Sequence, residues 1–292
     1  MNGFIEQFLN GLIPGSIYAL IALGYTMVYG IAKMINFAHG DIIMVGAYLL
    51  LLGLNASGVP IGLAILLSIV GCGILGVVIE KVAYKPLRNA PSLAVLITAI
   101  GVSYFLQNLF LVIFTSQGKS VPKFIHVSDF TVGGVTVSGN MIVILVVTII
   151  VMIALTYFIN KTKLGSALRA VSEDKGAASL MGINANRMIS MTFAIGSALA
   201  GVAGILWVSM YDKAYPTLGA IPGIKAFVAA VIGGIGSVPG AMLGGIALGI
   251  VESFTKAYIS GELVDAFVFG LLIIVLIFKP TGILGRKRIE KV

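Results

Sequence analysis

The chain has 292 residues, of which 59% are hydrophobic and only 10% are charged. Soluble domains carry about 25% charged residues, and a soluble helical protein needs a polar face on most of its helices, so the composition excludes an ordinary soluble fold. The formal net charge of +8 could indicate binding to nucleic acid, but its distribution along the chain argues against this class.

The positive charge is concentrated in three short segments. Thirteen of the nineteen Lys and Arg residues lie there, as three, five and five residues. The three segments are Lys81, Lys85 and Arg88; residues 161–187; and residues 279–291. Short loops rich in Lys and Arg stay in the cytoplasm. The excess charge therefore indicates membrane topology, and no nucleic acid partner is expected.

Long stretches without any Asp, Glu, Lys or Arg fill most of the chain. They are residues 7–32, 42–79, 92–118, 130–160, 188–211 and 226–251. A helix needs about 20 apolar residues to cross a hydrocarbon core about 30 Å thick. The pattern predicts an all-α integral membrane protein, a polytopic helical bundle of about eight spans (range eight to ten). It forms a single domain over residues 1–292.

Taken in chain order, the apolar segments give the expected spans. They are Phe8–Ile31, Ile42–Leu54, Ile61–Ile79, Ser92–Thr115, Met141–Ile159, Met188–Tyr211, a broken segment at 225–251, and Leu263–Phe278. Between the fourth and fifth spans, an external loop is expected at about 117–139, with a hairpin signal in Phe130–Val137. Cys72 is the only cysteine, so no internal disulfide is possible, and we expect it to be a small packing residue.

A polar break separates the first two spans. Asn36, His39 and Asp41 lie within it, and ionisable residues between membrane spans are candidates for a functional site. We therefore place these three residues on a translocation path or at an interface. The alternative is that the cluster is only a loop in the cytoplasm. One His and one Asp do not make a metal site.

A second break interrupts residues 225–251. It contains Gly233, Gly234, Gly236, Ser237, Pro239 and Gly240. Each flanking half has about ten apolar residues, too short to span alone. With the three basic segments inside, residues 211–224 lie outside, so this segment must enter and leave on the same side. So many helix breakers are tolerated at membrane depth only when buried in protein or lining a wet cavity. The break is a candidate for the translocation path or an interface, with a purely structural re-entrant turn as the alternative.

The segment 161–187 is the longest polar stretch and is expected in the cytoplasm. Ser172 is a plausible N-cap, Glu173 and Asp174 would lie in the first turn, and Gly182 is a plausible C-cap. This predicts a helix of about ten residues, 172–181, with a small apolar surface that includes Ala177 and Ala178. A short isolated helix is marginal in water, so a docking partner in the cytoplasm is implied. The alternative is a helix lying on the membrane surface.

The sequence contains no motif of an enzyme. The Gly118-Lys119-Ser120 tripeptide does not complete a phosphate-binding loop, because Ile113 stands where that motif requires glycine. We expect a non-catalytic membrane subunit without a cofactor. If ATP drives transport, another chain binds it.

Several segments together resemble the inner-membrane permease of branched-chain amino acid ABC importers, the H-type subunit of the leucine/isoleucine/valine uptake system. The matching segments are Gly24–Gly30, Met34–Asp41, Glu80–Arg88, Glu173–Asn184, Ala229–Gly245 and Pro280–Gly285. Urea and short-chain amide importers share much of this pattern and remain an alternative. A self-sufficient secondary transporter or channel is a further alternative, but it would usually carry paired charges within its spans. The last alternative is a membrane scaffold protein that does not transport a substrate.

The resemblance implies a multi-pass protein of the bacterial inner membrane that carries Leu, Ile or Val. It implies four kinds of partner besides the lipid bilayer: a second, homologous permease subunit, two ABC ATPase subunits that bind ATP, an external substrate-binding protein, and the amino acid itself. It also implies that the segment with Glu173, Asp174, Ala177, Ala178 and Gly182 couples to the ATPase. The residues Glu-Asp-Lys-Gly before the alanines depart from the commonest importer pattern.

Overall fold

The structure is a computed structural model that describes residues 2–88, 90–132 and 135–285. Eleven α-helices dominate this part of the chain. They are α1 (Asn2–Ala32), α2 (His39–Asn55), α3 (Ile61–Ile79), α4 (Ser92–Phe114), α5 (Gly139–Lys161), α6 (Lys163–Glu173), α7 (Lys175–Leu180), α8 (Ala185–Tyr211), α9 (Ala220–Gly233), α10 (Val238–Tyr258) and α11 (Val264–Phe278). The predicted all-α membrane bundle is confirmed.

Six of the described helices are long and apolar enough to cross a membrane by length and composition: α1, α3, α4, α5, α8 and α10. Three more apolar helices are shorter, since α2, α9 and α11 have 17, 14 and 15 residues. Together these nine helices fall within the predicted range of eight to ten spans. The bounds of α3 agree with the predicted third span.

Helix α1 lies at the centre of the bundle and packs against α8, α9, α10 and α5. Its residues 17–23 are buried almost completely. Close approach to α10 depends on glycine, because a Cβ atom at Gly11 would come within 2.8 Å of the Ile250 Cα atom, and one at Gly249 would collide with the Gly15 backbone. Small residues four apart allow membrane helices to pack closely. Part of the glycine enrichment therefore serves ordinary helix packing.

The described parts of the three basic segments lie at the same end of the bundle. Arg88 hydrogen bonds to Asn186, and the Lys175 Nζ atom donates to the Ala32 carbonyl at 3.4 Å. We call this the basic end; it comprises residues 32–37, 81–88, 161–187, 233–237 and 279–285. A single turn of π-helix (Glu80–Tyr84) and a 3₁₀ turn (Lys85–Leu87) follow α3 there. Asn89 and the basic residues at 286–291 lie outside the described residues.

Short strands mark the opposite end. Strand β2 (Phe130–Val132) pairs antiparallel with β3 (Val135–Val137), which confirms the predicted hairpin; its Gly133-Gly134 turn lies outside the described residues. Strand β1 (Lys119–Ser120) pairs with β4 (Lys213–Ala214). The loops at 117–139 and 211–219 thus share one end, as the predicted topology requires.

The broken segment at 225–251 differs from expectation in its lengths. Helices α9 and α10 have 14 and 21 residues, so the prediction of two halves of about ten residues is wrong. Both helices extend through charged residues, Lys225 and Glu252, which pair with each other at 3.1 Å and can therefore be buried. The break itself lies at the basic end, where Gly236 approaches Gly30. The two helices form a hairpin that enters and leaves at the opposite end.

Candidate translocation and coupling sites

The first break in the bundle is a non-helical segment at residues 33–38, between α1 and α2. Although polar, the side chains of Asn36, His39 and Asp41 are only 2%, 1% and 1% exposed. These three side chains therefore do not lie in an open, solvated loop. The structure brings these three residues together, at the start of a helix that begins inside the protein.

Two of these side chains have a polar partner. The Tyr84 hydroxyl donates to the Asn36 Oδ1 atom at 2.9 Å, and the Gln107 Nε2 atom donates to the Asp41 Oδ1 atom at 2.8 Å. The His39 ring lies edge-on to Tyr25 at 4.7 Å between centroids. The Asn36 Nδ2 atom and both His39 ring nitrogens make no hydrogen bond of acceptable geometry to any described residue. Because such groups are costly to bury unpaired, water or a ligand is expected here.

The starts of α2 and α9 meet at this depth through backbone atoms. A Cβ atom at Gly219 would collide with the Gly40 carbonyl, and one at Gly223 would lie 2.8 Å from the Gly40 Cα atom. Two helices that run in opposite directions therefore touch at their starts without intervening side chains.

The second break, residues 234–237, depends on glycine conformation. Gly234 and Gly236 have φ values of +105° and +95°, which side-chain-bearing residues rarely adopt. The Ser237 hydroxyl then accepts a hydrogen bond from the Gly240 amide at 3.2 Å and caps α10. Pro239 lies in the first turn of α10, where proline is tolerated. Gly233 and Gly240 pack backbone to backbone and close the hairpin.

A small cavity lies between the two breaks. Its volume is about 10 Å³, room for at most one water molecule. The lining side chains are apolar or aromatic: Tyr25, Tyr29, Ile35, Phe227, Ala230 and Ile235. The two predicted path elements are thus neighbours, and the space between them is closed to an amino acid in this structure.

The predicted coupling helix is divided in two. Ser172 lies inside α6, where its hydroxyl donates to the Arg169 carbonyl at 2.7 Å, so its prediction as an N-cap is wrong. The cap is Asp174, whose Oδ1 atom accepts from the Gly176 and Ala177 amides at 2.7 and 3.0 Å. Extended backbone at Asp174 separates the last residue of α6, Glu173, from α7. Helix α7 therefore has six residues rather than ten.

The prediction for the end of this helix is confirmed. Gly182 has φ +79° just after α7, the conformation that glycine supplies at helix C-termini. Ala178 is buried, whereas the neighbouring Ala177 is exposed. Leu180 and Met181 are 90% and 82% exposed. The basic end thus carries a short capped helix with an uncovered apolar tip.

Sequence reasoning missed two charged clusters. Glu80 is fully buried at the basic end, where it pairs with Arg88 and accepts a hydrogen bond from the Ser190 hydroxyl at 2.6 Å. The second cluster joins Lys225 to Glu252 at 3.1 Å and to Asp265 at 2.9 Å. The signal that could have found it is the opposite sign of charges flanking one uncharged stretch, 226–251.

Comparisons with known proteins agree with this architecture. A family model described as the permease component of branched-chain amino acid transport systems matches residues 7–276. The chain is 47% identical to the high-affinity branched-chain amino acid transport permease BraD of Pseudomonas aeruginosa and 45% identical to LivH of Escherichia coli. Each match covers 99% of this chain and 98% of the relative. A ribose import permease of Haemophilus influenzae is 27% identical over 85% of this chain and 77% of its own length.

A solved structure, PsaBC from Streptococcus pneumoniae, matches 96% of this chain and 91% of its own at 14% identity, with a TM-score of 0.43; this likeness is too low to carry an argument. The family match and the two near full-length relatives are sufficient by themselves. The chain belongs to the family of permease components of branched-chain amino acid transport systems.

Proposed function

We propose that this chain carries Leu, Ile and Val across the bacterial inner membrane as one permease subunit of an ABC importer, with ATP bound and hydrolysed on separate subunits. The observation that carries the proposal is α7. A helix of six residues is marginal by itself, and this one presents Leu180 and Met181 to the outside at the basic end. A cleft in an ATPase subunit would cover both side chains.

Contacts inside the chain connect α7 to the first break. The Lys175 Nζ atom donates to the carbonyl of Ala32, the last residue of α1. The non-helical segment with Asn36 begins directly after it. A force applied to α7 would therefore reach the buried end of α2 through one short connection. Glu173, Asp174, Ala177, Ala178 and Gly182 are proposed as the coupling segment on this basis.

The cavity between the breaks supports the proposed substrate class and a second permease subunit. Its walls, which include Ile35, Phe227 and Ala230, are apolar, as a site for an aliphatic side chain requires. Because the cavity is too small for an amino acid within this subunit, a wider passage is expected where the chain meets a homologous partner. Delivery of substrate by an external binding protein completes the proposed assembly.

The test is leucine uptake by the whole transporter in proteoliposomes. We expect the double variant Leu180→Ser/Met181→Ser to lower uptake and substrate-stimulated ATP hydrolysis at least tenfold, because it removes the apolar contact with the ATPase. The amount of permease in the membrane should not change. Val127→Ser, which removes an exposed apolar side chain from the external loop, serves as the control and should transport normally.

Transport at the unmodified rate in the double variant would show that α7 is not the docking element. Competition with unlabelled Ile and Val, compared with urea and acetamide, tests the substrate class. Inhibition by urea or acetamide but not by Ile and Val would replace the amino acid with an amide as the substrate.

A further inference from the structure

Three helices share one ion-pair network inside the bundle. The Lys225 Nζ atom of α9 lies 3.1 Å from the Glu252 Oε1 atom of α10 and 2.9 Å from the Asp265 Oδ1 atom of α11. The side chain of Lys225 is 7% exposed. The Tyr18 hydroxyl of α1 also donates to the Glu252 Oε2 atom at 2.9 Å.

The network lies at membrane depth. Counted from the basic end, Lys225, Glu252 and Asp265 lie eight, fourteen and thirteen residues along α9, α10 and α11. At 1.5 Å per residue these positions are about 12, 21 and 20 Å from that end, and the long Lys side chain bridges the difference. The hydrocarbon core is about 30 Å thick. The network therefore lies inside it, in the half away from the basic end.

The two carboxylates differ in their surroundings. Glu252 is 22% exposed and has two partners, Lys225 and Tyr18, whereas Asp265 is 57% exposed and is paired within the described chain only with Lys225. A carboxylate that is half exposed at this depth is too costly to face lipid. This face of α11 therefore meets water or a partner subunit rather than lipid.

Helix α11 is held differently at its two ends. At the basic end, the chain after α11 returns to α9, where the Ile283 and Leu284 amides donate to the Ile232 and Gly233 carbonyls at 2.8 and 2.9 Å. Near the other end, α11 is held by the buried Val264 and Val268 side chains and by the ion pair of Asp265 with Lys225 of α9. An exposed ion pair contributes little to stability and is therefore the contact of α11 that separates most easily.

We propose that Lys225 is a positioning residue of the transport cycle. Its pair with Asp265 holds the outer half of α11 against the α9–α10 hairpin while the pathway is closed, and the pair separates when the pathway opens to the outside. Its pair with Glu252 stays intact and keeps Lys225 neutralised in both states. This inference rests on the proposed transport function and adds the element that closes the outer side.

The test uses Asp265→Asn in the complete transporter, with uptake and ATP hydrolysis measured per assembled complex. The substitution keeps the size of the side chain and removes its charge. We expect hydrolysis without binding protein to rise at least threefold, because the closed state is less favoured, and leucine uptake to fall at least fivefold. Glu262→Gln, an exposed acid three residues earlier, is the matched control and should change neither quantity. Lys225→Arg, which keeps both pairs, should retain most of the uptake.

The proposal is overturned if Asp265→Asn leaves basal hydrolysis unchanged per complex, or if uptake falls only in proportion to the amount of assembled protein, as a purely structural role would give. Because basal hydrolysis is measured without any amino acid, it tests the role of the ion pair independently of the identity of the substrate. Absence of leucine uptake by the unmodified transporter would instead contradict the proposed substrate.

Discussion

Glycine backbone atoms, rather than side chains, form the contact between the start of α2 and the start of α9. Gly40 at the start of α2 meets Gly219 and Gly223 at the start of α9. The same device admits the His39 ring, which occupies the space that a side chain at Gly24 would need. Contacts without side chains have no interlocking groups to separate. Such a surface suits two helix starts that shift past each other during transport.

Gly219→Ala tests this contact. Its added methyl group would collide with the Gly40 carbonyl, and overpacking of this kind costs about 1–3 kcal/mol. We expect lower thermal stability of the purified protein and lower uptake. Gly101→Ala is the control, since a Cβ atom there meets nothing within 4 Å; it should be neutral. Equal behaviour of the two variants would contradict the close contact.

In the glycine break between α9 and α10, a substitution can act in two separate ways: through the backbone conformation and through the space that the side chain fills. Gly236 has φ +95°, so any substitution there is strained, but an added Cβ atom would meet no described residue within 4 Å. A residue held in a sparsely populated region costs about 1–3 kcal/mol.

Gly236→Ala and Gly236→Leu should therefore be equally destabilised in the isolated subunit. If the break lines the path or meets a partner subunit, Leu should abolish uptake while Ala retains a measurable part of it. Gly58, with φ +80°, no neighbour within 4 Å and a position at the opposite end, provides the matched Ala and Leu pair. Equal uptake by the two Gly236 variants would show that the break is only a structural turn.

The limits of the elements show what the sequence can predict. Spans flanked by charged loops, such as α3 at Ile61–Ile79, follow from hydropathy. Helices α9 and α10 do not, because they continue through Lys225 and Glu252, two charged residues that pair with each other across 27 positions of sequence. The N-cap of α7 cannot be predicted from residue type alone either. Ser172 and Asp174 are both good caps by type, and only the backbone shows which one has the extended conformation.

At the scale of the whole molecule, the location of Asn36, His39 and Asp41 could not be predicted. A polar segment between two apolar ones is typical of a loop, and only the fold shows that this one turns back into the protein, where all three side chains are buried. The grouping of the described basic segments at one end was predictable, because Lys and Arg are enriched in cytoplasmic loops and mark that end in the sequence.

Labelling with a membrane-impermeant thiol reagent tests this topology. Cysteines introduced at the exposed positions Ser120 or Pro122 should react from outside, and one at Asp174 only after the membrane is opened. The native Cys72 is fully buried and should not react, which the unmodified protein checks. Labelling of Asp174→Cys from outside in intact cells would reverse the assigned sides.

The short length of α11 affects the surrounding lipid. Helix α11 has 15 residues and rises about 22 Å, less than the roughly 30 Å of an average hydrocarbon core, and it exposes Ile273, Ile274 and Ile277. Lipid beside it must thin, or the polar start of the helix must sink into the bilayer. A thicker bilayer increases this mismatch and strains the outer end of α11, where Asp265 pairs with Lys225. The acyl chain length of the membrane therefore affects the Lys225–Asp265 ion pair, the same pair that we propose separates during transport.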